Sequence, residues 1–283
     1  MPTVAVPQIT VADLDPETNL ATIADRLERL PHDVEVVLFP EYELTGFVAD
    51  DRLRTVALDR DGPELDGLRS LAATHDVGLL AGYVERGEES GAGDGDRTGA
   101  GDADGAGEPP ATDTDDRPLH NALAYVSPDG ETTVYRKRHL WAAEADHLAP
   151  GSDRVVVETP VGATGLVTCY ELNFVADSAA FAADRVDALF VAGAWPAAHV
   201  ENWRLLLRAR ALDGVRWVVG AGRTGARDVA GAPSTRYAGR STVVRPDGRV
   251  AAALGRGERD LVVDLDPDLL AEQREFIPVL DDV

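Results

Sequence analysis

The sequence GLVTCYELNFVADSAAFAADRVDALFVA, residues 165–192, contains the pattern that decides the fold. Residues 165–168 form a short apolar run typical of a buried strand, residues from about 173 to 184 have helical character, and residues 188–192 form a second apolar run. A strand, a helix and a strand in this order predict a βα unit. The only cysteine of the chain, Cys169, comes directly after the first strand.

Strand and helix signals continue on both sides of this unit. Strands are predicted at residues 3–9, 34–39, 77–84, 121–126, 132–136, 155–158, 216–220, 241–245, 250–254 and 261–264, and helices at 20–30, 65–75 and 200–212. Two strand pairs are joined by Pro-Asp-Gly, at 128–130 and 246–248, which is typical of a hairpin turn. Hairpins combined with βα units predict an α/β fold with mixed sheets and outer helices, and they disfavour a purely parallel sheet.

The segment 87–117 differs in composition from the rest of the chain. It contains ten acidic residues, two arginines and almost no large apolar residue. Such a segment cannot bury enough apolar area to offset the entropy lost on ordering. We therefore predict a disordered acidic loop, inserted into a single domain that spans residues 1–283.

The charge of the chain restricts its partners. The 283 residues carry a formal net charge of −23, which disfavours binding to nucleic acid and to anionic membranes. Because molar salt screens the repulsion within such a surface, we interpret the protein as halophilic. Lys137 is the only lysine among 27 cationic residues. A single retained lysine suggests chemistry that arginine cannot perform, with codon bias as the alternative explanation.

The sequence shows no sign of export or membrane insertion. The longest apolar stretches, such as 186–195, are too short to cross a bilayer, and no basic segment precedes an apolar one at the start of the chain. A single cysteine cannot form an internal disulfide, which is consistent with a reducing compartment. We therefore expect a soluble, cytoplasmic protein.

Three reactive side chains follow predicted strands. Glu41, Lys137 and Cys169 each lie just past the C-terminal end of an apolar run. Functional groups converge at that edge of α/β sheets, so we expect the three to meet in one site. Taken singly, each also fits a structural role, and only the joint placement favours chemistry. A position before a helix, or beside Lys137, predicts that the pKa of Cys169 lies below its ordinary value of about 8.5.

Around these residues the chain resembles the nitrilase superfamily of carbon–nitrogen hydrolases. The resemblance rests on three motifs, FPEYELTGF at 39–47, YRKRHLW at 135–141 and GLVTCYE at 165–171. Further matches are Asn121-Ala122, Glu144, Pro150-Gly151, Trp195-Pro196, RARA at 208–211 and the Pro-Asp-Gly turn at 246–248. The chain departs from the family pattern at three places: Glu171 where relatives usually have Asp, Val175-Ala176 in place of Pro-Glu, and Asp213-Gly214 in place of Glu-Asn.

The resemblance implies a four-layer αββα sandwich and a cysteine-dependent hydrolase. In that mechanism Glu41 is the general base, Cys169 is the nucleophile, and Lys137 stabilises the oxyanion together with the backbone N–H of Tyr170. Glu144 orients Lys137 or the substrate nitrogen. Members of the family associate through their helical layers, so a homodimer or larger homo-oligomer is expected.

The resemblance leaves the substrate open. We expect a small-molecule amide that is hydrolysed to acid and ammonia through a thioester, with a carbamoyl compound or a nitrile as alternatives. An N-acyltransferase of the same fold and a catalytically silent binding or assembly protein are the competing hypotheses.

The remaining signals are weaker. Tyr170 and Trp195 are candidates for the pocket lining, although Trp195 equally fits a core aromatic. The sequence GAGRTG at 220–225 fits a dinucleotide-binding pattern, but no helical pattern follows it. The histidines show no metal-ligand spacing, so we expect neither a metal nor another cofactor. The arginines of residues 200–216 are interpreted as a solvated or subunit-facing side of a helix.

Overall fold

The structure, a computed structural model, describes residues 1–88 and 115–282. Residues 89–114, which form most of the predicted acidic loop, lie outside this part, so the disorder of that loop stays a prediction. The first strands are β1 (Thr3–Gln8), β2 (Val36–Leu38), β3 (Gly78–Arg86), β4 (Leu119–Val126), β5 (Thr132–Arg136), β6 (Val156–Thr159) and β7 (Gly162–Thr168). The remaining strands are β8 (Ala188–Gly193), β9 (Trp217–Gly222), β10 (Ala226–Arg227), β11 (Thr235–Arg236), β12 (Thr242–Val244), β13 (Val250–Ala253) and β14 (Arg259–Asp264).

The helices lie between these strands along the chain. They are α1 (Pro16–Arg29), α2 (Leu53–Val56), α3 (Pro63–His75), α4 (Glu144–His147), α5 (Val175–Ala183), α6 (Val200–Asp213) and α7 (Pro267–Phe276), with 3₁₀ turns at Cys169–Asn173, Ala197–His199 and Pro278–Asp281. No helix in the described ranges is long and apolar enough to cross a membrane.

Two six-stranded sheets are built on the same plan. One has the order β14-β1-β2-β3-β4-β5 and the other the order β13-β12-β9-β8-β7-β6. Three parallel strands form the middle of each sheet, β1-β2-β3 and β7-β8-β9, and antiparallel strands flank them on both sides. The mixed sheets predicted from the hairpins and βα units are thus present.

The central strands have apolar side chains on both faces, and one of these faces packs against the other sheet. In β8, Phe190 points to the interface between the sheets, whereas Leu189 and Val191 point to the helical side. In β2, Leu38 points to the same interface and Val37 to the helices of its own sheet. Successive side chains of a strand point to opposite faces, so a strand with apolar residues throughout must be covered on both sides.

The outer layers are amphipathic helices. Helices α1 and α3 cover the first sheet with Ile23 and Leu68, and α5 and α6 cover the second with Phe181 and Leu207. Burying one such side chain stabilises the fold by about 1.5–3 kcal/mol. The layers therefore run helix, sheet, sheet, helix, which confirms the four-layer αββα sandwich.

Local details differ from the sequence prediction around residues 169–216. The helix predicted to start at about 173 begins at Val175, because a 3₁₀ turn with a Thr168–Glu171 capping box occupies the preceding residues. The arginines of α6 and the turn after it are not all solvated, since Arg210 and Arg216 are buried. Arg216 donates to the Ser178 carbonyl and to the Asp213 carboxylate. Arg216 thus ties α5 to α6, whereas Arg210 pairs with Asp213 of its own helix.

Candidate active site

The predicted trio comes together in one buried site. Glu41 follows β2, Lys137 follows β5 and Cys169 follows β7, so each lies just past a strand end as predicted. The Lys137 ammonium donates to Glu41 Oε1 over 2.8 Å, and all three side chains line the same cavity. Their residues are only 1–8% exposed. The site therefore places a thiol, an amine and a carboxylate, all on buried residues, around one pocket.

A second carboxylate also binds the lysine. Glu144, the first residue of α4, accepts from Lys137 Nζ at 3.0 and 2.9 Å. It also accepts from the Tyr42 hydroxyl at 2.5 Å and from the Trp141 backbone N–H at 2.7 Å. Such a dense set of donors fixes the carboxylate, and the carboxylate in turn fixes the ammonium group of Lys137. Tyr42 was not among the predicted site residues.

Asn121 connects the two glutamates. Its Nδ2 donates to Glu41 Oε1 at 2.8 Å and to Glu144 Oε1 at 3.1 Å. The sequence analysis noted Asn121 only as part of a motif. Its buried amide side chain in the mostly apolar strand β4 is the signal that could have identified this role.

The backbone holds Glu41 and Cys169 in place. The second carboxylate oxygen of Glu41 accepts from the Ala194 N–H at 2.9 Å, just past the end of β8. Cys169 has φ of +50°, the left-handed region that is costly for a non-glycine residue. This conformation turns the chain sharply from β7 into the 3₁₀ turn, where the thiol reaches the cavity.

The electrostatics of the site contradict the predicted thiol pKa. Burial and the neighbouring Glu41 carboxylate raise the pKa of Cys169 well above its ordinary value, although Lys137 lowers it. The expectation of a lowered pKa was wrong, because it counted the lysine and the helix start but neither the desolvation nor the carboxylate. A thiol in this environment stays protonated at neutral pH and needs a base to become a nucleophile, and Glu41 lines the same cavity.

Lys137 and Tyr42 keep their protons in this site. Burial alone would lower the pKa of Lys137, but the Glu41 and Glu144 carboxylates raise it above its ordinary value. Burial and the same carboxylates raise the pKa of Tyr42. Both residues are therefore hydrogen-bond donors at neutral pH.

The cavity has a volume of about 780 Å³. Both candidate lining residues contribute to it: Tyr170 and Trp195. Trp195 also has the core role that the sequence left open, since its ring lies 5.7 Å from that of Trp203 and its Nε1 donates to the His199 carbonyl. A cavity of this size suits a small molecule.

The glycine-rich stretch 220–225 serves another purpose. A Cβ at Gly222 would lie 2.1 Å from the Gly239 carbonyl oxygen, so the glycine permits two chain segments to approach closely. The next element is the short strand β10 rather than a helix. A dinucleotide turn needs a helix N-terminus at that point, so the geometry does not support one.

Comparison with known proteins identifies the family. The family model "Carbon-nitrogen hydrolase" matches residues 3–275. The chain belongs to the carbon-nitrogen hydrolase family. It is similar to the 2-oxoglutaramate amidase of Bacillus subtilis, with 26% identity covering 99% of this chain and 97% of the relative. It is similar to the (R)-stereoselective amidase of a Pseudomonas species, with 27% identity covering 97% and 89%.

A solved structure supports the fold independently. The carbon-nitrogen hydrolase superfamily protein XC1258 of Xanthomonas campestris superposes with a TM-score of 0.81 at 24% identity, covering 99% of this chain and 96% of that one. Together these findings confirm the resemblance to the nitrilase superfamily and make the protein a carbon–nitrogen hydrolase.

One carboxylate of this hydrolase links the lysine and cysteine segments. Glu171 Oε1 accepts from the backbone N–H groups of Arg138 and His139 at 2.8 and 3.2 Å, directly after Lys137. Its Oε2 accepts from the Tyr135 hydroxyl at 2.6 Å and from the Thr168 N–H at 2.9 Å. We name this four-donor contact the Glu171 clasp. Burial raises the pKa of Glu171, against the opposing effect of its donors.

The Glu171 clasp was not predicted from the sequence. The motif comparison identified Glu171 only as a departure from the usual Asp. The contact joins residues more than 30 positions apart, and no local pattern reveals such a partner.

Proposed function

We propose that this carbon-nitrogen hydrolase cleaves a small aliphatic carboxamide to the acid and ammonia through a thioester on Cys169. The observation that carries the proposal is the shared cavity of Cys169, Glu41 and Lys137, with Lys137 held by two carboxylates. The two amidases named above support an amide rather than a nitrile substrate. A carbamoyl compound and a nitrile remain as alternatives to be tested alongside.

In the first step Glu41 takes the proton of the Cys169 thiol, and the sulfur attacks the amide carbon. The carbonyl oxygen becomes an oxyanion, which the Lys137 ammonium and the Tyr170 backbone N–H stabilise. Protonated Glu41 then donates its proton to the leaving nitrogen. The C–N bond breaks, ammonia departs, and a thioester remains on Cys169.

The second step returns the enzyme to its starting state. Glu41, again a carboxylate, takes a proton from water, and the resulting hydroxide attacks the thioester carbon. The C–S bond breaks, the acid leaves, and the sulfur regains its proton from Glu41. Glu144, Asn121 and Tyr42 support this sequence by holding Glu41 and Lys137 through their hydrogen bonds.

We also propose that the chain forms one domain and acts as a homodimer or larger assembly in a cytoplasm of high salt. Exposed apolar side chains on the outer helices support the assembly: Val175 on α5 is 66% exposed, and Leu205 and Leu212 on α6 are 67% and 48% exposed. The net charge of −23 supports the salt requirement. Light scattering in molar KCl tests the assembly, and a monomer would contradict it.

The function is tested by ammonia release from a panel of aliphatic amides, carbamoyl compounds and nitriles in molar KCl. We expect release from at least one amide and none with Cys169→Ala, whose fold is checked by circular dichroism. Analysis of the acyl product with an added amine separates hydrolysis from transfer, because a transferase yields a new amide instead of the free acid. Absence of release from every compound by folded protein would contradict the proposal.

A further inference from the structure

The charge of the cavity lining differs from that of the whole protein. The chain has 50 acidic residues, yet Glu41 and Glu144 are the only acids that line the cavity among the described residues. Both bind Lys137 within the site. Two arginines, Arg227 on β10 and Arg236 on β11, also line the cavity.

The guanidinium group of Arg227 has only neutral partners. It donates to the Phe47 carbonyl at 3.0 Å, to the Pro233 carbonyl at 3.0 and 3.3 Å and to the Thr235 hydroxyl at 2.9 Å. These bonds hold the guanidinium in the cavity wall, but none of them neutralises its charge.

Neither cavity arginine has a carboxylate partner in residues 1–88 and 115–282. No ion pair within 4.0 Å is formed by Arg227 or Arg236 there, whereas Arg223, at the end of the preceding strand, pairs with Asp13 at 2.7 Å. Two cations without counter-charge at a concave surface attract anions and favour a ligand that supplies the missing carboxylate.

The volume of the cavity agrees with a ligand larger than a simple amide. About 780 Å³ is available, which leaves room for a second polar group beside the scissile bond. A planar guanidinium matches a carboxylate in shape as well as charge.

From these observations, and resting on the proposed function, we propose that the substrate carries a carboxylate besides its scissile carbon–nitrogen bond, and that Arg227 and Arg236 bind this carboxylate. The substrate class is then a monoamide of a dicarboxylic acid or an N-carbamoyl amino acid. The cleaved bond lies at Cys169, and the distant carboxylate determines which amides bind productively.

The test compares an anionic amide with a neutral amide of the same shape. Succinamate and 4-methylpentanamide differ in that an isopropyl group replaces the carboxylate, and N-carbamoylglycine represents the carbamoyl class. The quantity measured is the ratio of kcat/KM for each anionic compound to kcat/KM for 4-methylpentanamide, in molar KCl. We expect a ratio well above one for succinamate or N-carbamoylglycine, and the larger of the two ratios identifies the class.

The arginine variants assign the preference to the two residues. Arg227→Gln and Arg236→Gln should each lower the ratio by about 10- to 100-fold, as expected for losing one hydrogen bond to a charged group. Arg236 is exposed and forms no hydrogen bond that holds the wall, so its replacement reports on the charge even if Arg227→Gln disturbs the fold. Arg256→Gln, an exposed arginine outside the cavity, is the matched control and should leave the ratio unchanged.

A ratio of one or below in the unaltered protein, or a ratio unaffected by both cavity arginine variants, would overturn the inference. Calorimetry with succinate and Cys169→Ala separates the inference from the proposed function, because it needs no turnover. Binding that is lost in Arg236→Gln, without hydrolysis of any amide, would support the carboxylate site and contradict the function. Hydrolysis of 4-methylpentanamide without succinate binding would support the function and overturn the carboxylate site.

Discussion

The Glu171 clasp gives the sharpest prediction about how the site is held together. Glu171→Gln keeps the shape of the side chain but replaces one acceptor oxygen with an NH₂ group, so two of the four donors lose their acceptor. A buried donor without an acceptor costs about 1–3 kcal/mol, which gives a loss of about 2–6 kcal/mol for the pair. Most of this range is smaller than the usual stability of about 5–15 kcal/mol, so the variant should fold. At about 2 °C per kcal/mol for a chain of this size, Tm should fall by about 4–12 °C.

Activity should fall by more than stability alone explains. The segments that the clasp joins carry Lys137 and Cys169, and a misplacement of about 1 Å between reacting groups costs about 100-fold in rate. We therefore expect kcat to fall by about 100-fold with little change in KM, since the clasp does not line the cavity wall that holds the rest of the substrate. The assay is steady-state ammonia release, with unfolding followed by calorimetry.

A destabilising variant outside the site distinguishes alignment from stability. Asp187→Asn weakens a carboxylate that binds Arg274 at 2.8 Å, outside the site, and should lower Tm without lowering kcat. An unchanged kcat in Glu171→Gln, together with a lower Tm, would refute the positioning role and leave only a structural one.

Three further predictions follow from the charges. Lys137→Arg should lower kcat by at least about 100-fold, because a planar guanidinium cannot replace the ammonium as an oxyanion donor, and activity retained in ammonia-release assays would contradict this. Burial raises the pKa of Glu43 well above 4.5. Between the pKa of Glu43 in the unfolded chain and its higher pKa in the folded protein, the folded protein holds a proton that the unfolded chain has lost. The free energy of unfolding therefore falls as pH rises through this range. Glu43→Gln removes this loss, so its Tm relative to the unaltered protein should increase from pH 5 to pH 8 in thermal melts, and a constant difference would refute the reasoning. Dilution from molar to millimolar salt should reduce the helical circular dichroism signal because the net charge of −23 is then unscreened, and full retention would contradict the halophilic interpretation.

The sequence predicted the elements of the fold well because the determining information is local. Continuous apolar runs such as β8, and Pro-Asp-Gly turns at 128–130 and 246–248, depend on neighbouring residues only. The convergence of Glu41, Lys137 and Cys169 followed from their positions after strand ends. The extent of α5 was less predictable, because the Thr168–Glu171 capping box forms a separate turn before it.

Properties set by distant contacts were not predictable. The raised pKa of Cys169 depends on burial and on Glu41, 128 positions away in the chain, and these outweigh the nearby lysine. In the sequence, Arg216 cannot be distinguished from a surface arginine. Its burial depends on the contact with Ser178, which is 38 positions away in the chain. The bridge of Asn121 between two glutamates requires the sheets to be assembled first.

The most direct test of the account is a rapid-quench measurement of the covalent intermediate by peptide mass spectrometry. The unaltered protein is mixed with an amide from the ammonia panel, quenched in acid and digested. The account predicts an adduct with the mass of the amide minus ammonia on the peptide that contains Cys169, formed before the acid is released and absent from Cys169→Ala. Ammonia release by Cys169→Ala at the same rate, or an adduct on any other residue, would contradict it.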